Sequence, residues 1–428
     1  MTAAEVTAEA DLVVLGGGMA GLTAGAFAAR RGRRVLLVEK APQIGGSAVL
    51  SSGYVWTAPS MAALRERAPR GSVALGEVLL EEFPATIEFI RSSGVWMSEE
   101  VTVLGFGRGH RIDVLAYLRR CVSIIENAGG HVVLAARTVT LRQREGCVIG
   151  VSLLENGAEV EVTAPATILA TGGFQGDRAL VAEAMGQQAP DRLLLRANPY
   201  STGDALRLAR AIGAATAGDM DCFYGHLVVS PLASFTQPDF ARLAAYCSDR
   251  CLLFNIAGKR FTDESAGDFA NAQQVLRQEQ GRAVMIMSNT VRHTAAVAPA
   301  VPGLEAIDLI REATAAGARV CSARRLDELV GQIESWQFRA QPIGDALRAR
   351  PDPLDPPLFA LEVRPAITFT QGGLAVDRDA AVLDTSGVQI DGLYAAGADV
   401  GGVYQGGYAG GLSLAGGFGL RAVRSVTG

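Results

Sequence analysis

The sequence predicts an α/β fold opened by a βαβ unit on a parallel sheet. Three observations lead to it. A short apolar run at Asp11–Leu15 ends on the glycine cluster Gly16-Gly17-Gly18. An alanine- and leucine-rich stretch follows over residues 19–31 and stops at Arg30-Arg31-Gly32. A second apolar run, Arg34–Glu39, comes directly after it. Strand, helix and strand in that order describe parallel strands joined by a crossover helix, with a cationic last turn and a glycine stop closing the helix. At 428 residues the chain has room for two or three domains with sizeable cores.

The uncharged run Leu12–Ala29 is long enough to resemble a membrane span. It contains five glycines and follows an acidic rather than basic segment, so a strand entering a buried helix fits better. No targeting signal is read, and a cytoplasmic protein without a membrane span is expected. A net charge of −5 argues against nucleic acid as partner. Six scattered cysteines without a C-x-x-C pair, and only four histidines, predict reduced, packed thiols and no metal site.

Further along, residues 113–128 read as a helix. Several short strands follow over 131–163, broken by the turn signals Glu145-Gly146 and Asn156-Gly157. Ala166–Ala170 is another buried strand running into Thr171-Gly172-Gly173, and Gly203–Ala215 is a helix. Between about 219 and 358 the glycine density falls and strands mix with helices. The proline-rich PDPLDPP at 351–357 reads as a linker. Strands at 373–376 and 393–396 then lead to a final helix from Gly411.

Glycine is the compositional outlier, with 50 residues where ordinary usage of about 7% gives about 30. Nine fall within 11–53 and twelve within 392–428, so both ends need backbone with positive φ or in close approach to something. At the first end the pattern is Gly16-x-Gly18-x-x-Gly21 between strand and helix, with Glu39 closing the second strand. The first glycine permits the turn, the second admits a pyrophosphate and the third allows helix–strand packing. The helix N-terminus faces the phosphates, and the acid takes ribose hydroxyls. This is a Rossmann-like dinucleotide site. After Lys40-Ala41 a nicotinamide domain would continue into its next helix. Here come Gly45-Gly46-Ser47 and Ser51-Ser52-Gly53, which suit backbone wrapped around a longer cofactor, FAD.

At this point the chain resembles the FAD-dependent fumarate reductase/succinate dehydrogenase flavoprotein superfamily, and within it the 3-ketosteroid dehydrogenase-like members. The resemblance covers nearly the whole chain. It rests on VLGGGMAGLTAGAFAARRGRRVLLVEKAPQIGGSA (14–48), TILATGGFQGD (167–177), ANPYSTGDALRLARAIGA (197–214), CLLFNIAGKRFTDE (251–264), TQGGLAVD (370–377), GLYAAGADVGG (392–402) and GYAGGLSLAGGFGLRA (407–422). It implies a glutathione-reductase-type FAD-binding domain built from both chain ends, 1–218 and 359–428. An α+β capping and substrate domain, 219–358, is inserted between them. Implied FAD contacts are Gly16, Gly18, Met19, Ala20, Gly21, Glu39, Lys40, Ala41, Gly45, Gly46, Ser47, Ser51, Ser52 and Gly53. Ala136 is implied at the adenine and Thr171, Gly172 and Gly173 near the diphosphate. Asp204, Gly397, Ala398 and Asp399 follow, with Asp399 where relatives usually have Glu. Gly411, Leu412, Ser413 and Leu414 are implied along the isoalloxazine. With Ser47 in place of flavin-linking residues and no histidine nearby, the FAD is expected to be non-covalent.

The dicarboxylate enzymes of the superfamily clamp two carboxylates with arginines and histidines. Gly267 stands where they carry the proton-delivering arginine, Phe369 where they carry a histidine, and Gly406–Gly411 holds no clamp arginine. Tyr408 takes that place, as in ketosteroid dehydrogenases of the Δ4-(5α) type, although Gly410 stands where those carry a serine. The resemblance then implies α,β-desaturation of a neutral ketone. A phenol polarises the carbonyl, a second residue removes the adjacent proton, and the β-carbon gives hydride to flavin N5. Candidates for the second role are Tyr246, Tyr224 and His226; plain packing is the alternative for each. Tyr54, Phe369 and Gly410 are candidate substrate contacts. No second G-x-G-x-x-G segment leads into a helix, so hydride comes from the substrate or from an external electron donor, and an external acceptor serves the forward direction. An FAD-dependent ene-reductase, acting on an enone or in the manner of a fumarate reductase with an external electron donor, is the alternative. A binding module of the same architecture would lack the glycine segments, and all are present.

Overall fold

The computed structural model describes residues 7–155, 157–299 and 305–427. The chain forms two compact units. The first runs to Leu180 and resumes over Ala197–Cys222 and from Phe369 onward; the second comprises Val181–Arg196 and Phe223–Thr368. These divisions differ from those expected at 218/219 and 358/359. Leu194–Leu195 pairs in parallel with Ala366–Ile367, which draws residues 181–196 into the second unit. The proline-rich stretch 351–357 is internal to that unit, where Asp355 accepts the Thr290 N–H at 2.8 Å. It leads into the long strand Leu358–Thr370.

In the first unit the main sheet contains β1 (Leu12–Leu15), β2 (Val35–Val38), β3 (His131–Val133), β4 (Thr167–Leu169), β5 (Ala381–Leu383) and β6 (Gln389–Ala395), in the order β5-β6-β4-β1-β2-β3. All pairs are parallel except β5–β6. Val14 sits opposite Leu37 on one side and Ile168 on the other, and Ile168 sits opposite Tyr394. The middle strand β4 thus bridges the first and last portions of the chain. All side chains of β1 and β4 are buried, which explains continuous apolar runs in place of alternation.

The crossover helix α1 (Met19–Ala29) is buried along its whole length and packs on the final helix α2 (Gly411–Thr427). Burial by protein on every side accounts for the uncharged run. Among the described residues no helix is long and apolar enough to cross a membrane. The helix Val114–Asn127 is capped by Asp113, which accepts the Ala116 N–H at 2.9 Å. The helix expected over 203–215 ends at Arg210, because the Ala215 N–H bonds to Leu383 O at 2.8 Å and draws the chain to β5. Strands Arg137–Arg144, Cys147–Glu155 and Ala158–Thr163 form an antiparallel sheet, and Glu145 and Gly146 turn with φ of 52° and 86°. Of the second turn signal, Asn156 lies outside the described residues.

The second unit is built on residues 358–368 of the long strand, which pair antiparallel with Ala283–Met287 and Val320–Ala323. Its core holds Phe254, Ile286, Ile333, Phe338 and Ile343. Cys247 and Cys251 are buried free thiols, the Cys251 S–H donating to Cys247 O at 3.2 Å. Glu264 pairs with Arg260 and accepts the Leu253 N–H at 2.7 Å. Glu362, only 2% exposed, accepts from Arg282 at 2.7 and 3.0 Å and from Arg319 at 2.7 Å.

Replacing Glu362 leaves two partly buried guanidinium groups without their anion. Glu362→Ala is expected to cost about 3 kcal/mol and to lower the melting temperature on the order of 5–10 °C. A thermal melt unchanged within about 1 °C would contradict this role.

Candidate active site

In the first unit the loops at the carboxyl ends of β1, β2, β4 and β6 meet. Gly16 adopts a φ of 113°, and a Cβ there would lie 2.2 Å from Ala170 O. A Cβ at Gly21 would lie 1.9 Å from Gly16 O. At Gly18 it would meet nothing nearer than Gly45 O at 4.0 Å. The first and third glycines are therefore required by close packing, while the second borders open space that a phosphate can approach. Glu39 is buried; its two oxygens accept the N–H groups of Gly17 and Ala41, both at 2.7 Å. A carboxylate has about four acceptor positions, so two hydrogen bonds leave capacity for ribose hydroxyls. Ala136 N–H bonds to Glu39 O at 3.1 Å, which brings that loop beside the acid.

Gly45 N–H bonds to Gly17 O at 2.9 Å, so Gly45-Gly46 lies against the glycine turn. Ser47 Oγ accepts the Asn198 N–H at 3.2 Å. Lys40 Nζ bridges Asp204 at 2.9 Å and Thr202 at 2.5 Å. Thr171 Oγ1 accepts the Ala205 N–H at 3.1 Å, tying the β4 loop to the same helix start. Asp399, 3% exposed, accepts the N–H groups of Thr171, Gly172 (3.2 Å) and Gly173 (3.0 Å). Burial pushes its carboxyl pKa up, and those donors oppose the rise. A Cβ at Gly397 would touch the Ala20 side chain at 3.0 Å, and Ala398 lies beside Gly173. Ser51 and Ser52 stand apart from this network: Ser51 Oγ donates to Ala48 O at 2.6 Å, and Ser52 is exposed. Gly53, with φ of 83°, leads into the strand Tyr54–Thr57, where Tyr54 is buried.

A second cluster of the same unit surrounds the start of α2. Tyr408 OH accepts the Gly411 N–H at 2.8 Å. Its ring lies 5.6 Å from Trp56, 5.9 Å from Phe369 and 5.7 Å from Tyr404. Tyr404 OH donates to the carbonyl oxygens of Ala409 (3.0 Å) and Gly410 (2.9 Å), and its burial pushes the phenol pKa well up. A Cβ at Gly410 would lie 1.9 Å from Trp56 O. Ser413 Oγ donates to Trp56 O at 2.5 Å, while Leu412 and Leu414 are buried. Gln371 Nε2 donates to Gly407 O at 2.6 Å and supports the loop that carries Tyr408.

The second unit gathers the other candidates. Tyr224 and His226 lie on the strand Phe223–Val229, two residues apart and on one face. The His226 ring meets Tyr224 at 5.1 Å and Tyr246 at 4.9 Å, and its Nδ1 lies 2.5 Å from Asp268. Burial pushes the His226 pKa down, and Asp268 opposes that shift. Arg196 donates to Tyr246 OH at 3.0 Å. Gly267 has a φ of 101°, and a Cβ there would have nothing within 4 Å. Trp56, Tyr404, Arg196 and Asp268 lie outside the motifs that mark the sequence, whereas Gln371 lies within TQGGLAVD (370–377) without having been singled out. Of the first four, Trp56 alone had a signal, as a close neighbour of Tyr54 on the same strand.

The sequence matches the FAD binding domain family over residues 11–413. The chain belongs to that family. It is an FAD-dependent oxidoreductase, and the glycine cradle and Glu39 described above fit its cofactor. It is 26% identical to the NADH:fumarate oxidoreductase of Klebsiella pneumoniae over 95% of this chain, and it spans about half (46%) of that relative's length. It is also 26% identical to the 4-oxocyclohexanecarboxylate 2-dehydrogenase of Sinomonas cyclohexanicum, over 94% of this chain and 89% of the relative. Its fold is similar to that of the 3-ketosteroid Δ4-(5α)-dehydrogenase of Rhodococcus jostii, with a TM-score of 0.77, 22% identity, and coverage of 100% and 98% of the two chains.

Because a Cβ at Gly16 would collide with Ala170 O, Gly16→Ala is expected to yield protein that purifies without FAD colour. Gly32→Ala, also at positive φ but with nothing within 4 Å, is expected to cost about 1 kcal/mol and keep its flavin. A yellow Gly16→Ala protein would contradict the cradle.

Burial of His226 also makes stability depend on pH. Its folded pKa lies below its ordinary 6.5, so between the two values the unfolded chain binds more protons and stability rises with pH. Wild type should therefore lose more stability than His226→Gln on going from pH ~7.5 to ~5.5, as read by urea midpoints. Equal losses would show that His226 does not contribute.

Proposed function

We propose that this FAD-binding domain protein is a dehydrogenase that desaturates a neutral, cyclic ketone between its α and β carbons. The observation that carries this reading is the setting of Tyr408. Its oxygen meets the first N–H of α2 inside an aromatic ring of Trp56, Phe369 and Tyr404, in a stretch without arginine. Negative charge that develops on a ketone oxygen during enolisation calls for donors, and a neutral substrate calls for no cation. A phenol that accepts the Gly411 N–H is polarised toward donating its own proton, and the helix N-terminus favours the same charge. Bound FAD supplies the hydride acceptor. The first unit holds it without a covalent bond through the loops of β1, β2, β4 and β6. In the second unit Tyr246, Tyr224 or His226 takes the α proton. The name of the Sinomonas relative, which makes a cyclic ketone its substrate, supports the ketone class.

An ene-reductase with an external electron donor is the second reading, favoured by the Klebsiella relative, which is named as a fumarate oxidoreductase. Gly267, Phe369 and the arginine-free 406–411 stretch count against a dicarboxylate as its substrate. Either direction exchanges electrons with an external partner. Six free thiols fit a cytoplasmic setting.

Saturated ketosteroids or cyclohexanones are expected to bleach the flavin under anaerobic conditions, and succinate is not. Tyr408→Phe should slow bleaching about 100-fold with FAD content unchanged. Succinate as the only reductant, or Tyr408→Phe at the wild-type rate, would overturn the proposal.

A further inference from the structure

The second unit contains a buried acid–imidazole pair whose surroundings distinguish His226 from the two tyrosines beside it. His226 is 5% exposed and stands on the strand Phe223–Val229. Asp268 opens the nine-residue helix Asp268–Leu276. One oxygen of Asp268 lies 2.5 Å from Nδ1 of the ring. An ionised carboxylate only accepts hydrogen bonds, so Nδ1 must carry the proton and Nε2 of the neutral ring is left as an acceptor. The edges of Tyr224 and Tyr246 pack on the ring at 5.1 and 4.9 Å and hold its plane.

The other charged neighbour is Arg196. It is committed in three directions, donating to Phe240 O at 2.7 Å, Thr368 Oγ1 at 3.0 Å and Tyr246 OH at 3.0 Å. It therefore fixes Tyr246 by its oxygen. Its positive charge also disfavours a second proton on His226, in the same direction as burial. Asp249 is a further acid near Asp268. The titratable and charged groups that face the ring include Asp268, Arg196, Tyr224 and Tyr246.

We propose that His226 is the base of the reaction and that Asp268 is its positioning residue. This rests on the ketone desaturation proposed above. In the step assigned to it, the α C–H bond of the ketone breaks and an N–H bond forms at Nε2. The electron pair stays with the substrate as the enolate, whose charge is drawn to the ketone oxygen. Asp268 keeps the Nδ1 proton in place and stabilises the imidazolium that results, and Arg196 keeps Tyr246 oriented beside it. The separation of His226 and Asp268 in the chain offers no motif, which is why the pair is visible only in the fold.

The test uses the FAD-loaded protein and two readouts. Nitrogen NMR of the histidine rings needs no substrate: at pH ~7.5 the wild-type His226 ring should be protonated at Nδ1 and bare at Nε2, and Asp268→Asn should lower its titration midpoint because the carboxylate's charge is lost. In anaerobic bleaching by a ketone, Asp268→Asn should reduce the rate about 100-fold and move the acid limb of the pH profile to lower pH. Asp268→Glu should restore the rate to within about tenfold of wild type. A wild-type ring protonated at Nε2 would overturn the proposal. So would an Asp268→Asn protein that retains both the acid limb and the rate within about twofold. If no ketone bleaches the wild-type flavin, it is the desaturation reading that fails, and the ring tautomer and its titration still decide whether Asp268 positions His226.

Discussion

The buried carboxylate of Asp399 is the constraint on which the site of the first unit depends. An uncompensated charge at 3% exposure would cost several kcal/mol, and the three N–H groups of Thr171, Gly172 and Gly173 compensate it. A loop whose successive N–H groups converge can do so, and the positive φ of Gly172 and Gly173 provides that convergence. The contact pins the loop after β6 to the loop after β4. From there it continues through Thr171 to the helix start at Asp204, and through Asp204 to Lys40 at the end of β2. One run of polar contacts therefore sets the spacing of segments that lie hundreds of residues apart in the chain.

This arrangement explains why so much of the site is backbone. N–H groups and helix ends provide directed partial charges without adding a full charge, and they are held in place by the sheet beneath them. Around Tyr408 the same economy of charge applies. A phenol, a helix N–H and three aromatic rings form its surroundings. A strongly ionic grouping beside candidate catalytic side chains lies in the second unit, where Asp268 and Arg196 flank His226 and Tyr246 with opposite signs.

The parallel sheet, the cofactor turn and the final helix were legible in the sequence because each depends on local pattern. Apolar runs of four residues mark strands buried on both faces, and Gly16, Gly18 and Gly21 mark a turn whose sterics leave little choice of residue. The limits of the units were less legible. Leu194 and Leu195 belong to the second unit through two residues of parallel pairing with Ala366 and Ile367, a contact that no local signal reports. The proline-rich 351–357 stretch read as a boundary because proline interrupts regular structure, yet it introduces the central strand of that unit. The side-chain partners Asp268 and Arg196 were illegible for the same reason: their roles come from neighbours remote in sequence. Tyr408, Tyr246, Tyr224 and His226 could be named, but their partners could not.

We propose that the two glycine-rich ends of the chain serve one FAD, held by backbone and hydrogen bonds alone. The most direct measurement is the flavin content of the purified protein before and after acid precipitation. One FAD per chain is expected, all of it released to the supernatant. A protein that retains no FAD when supplied with it, or flavin that stays with the precipitated chain, would contradict it.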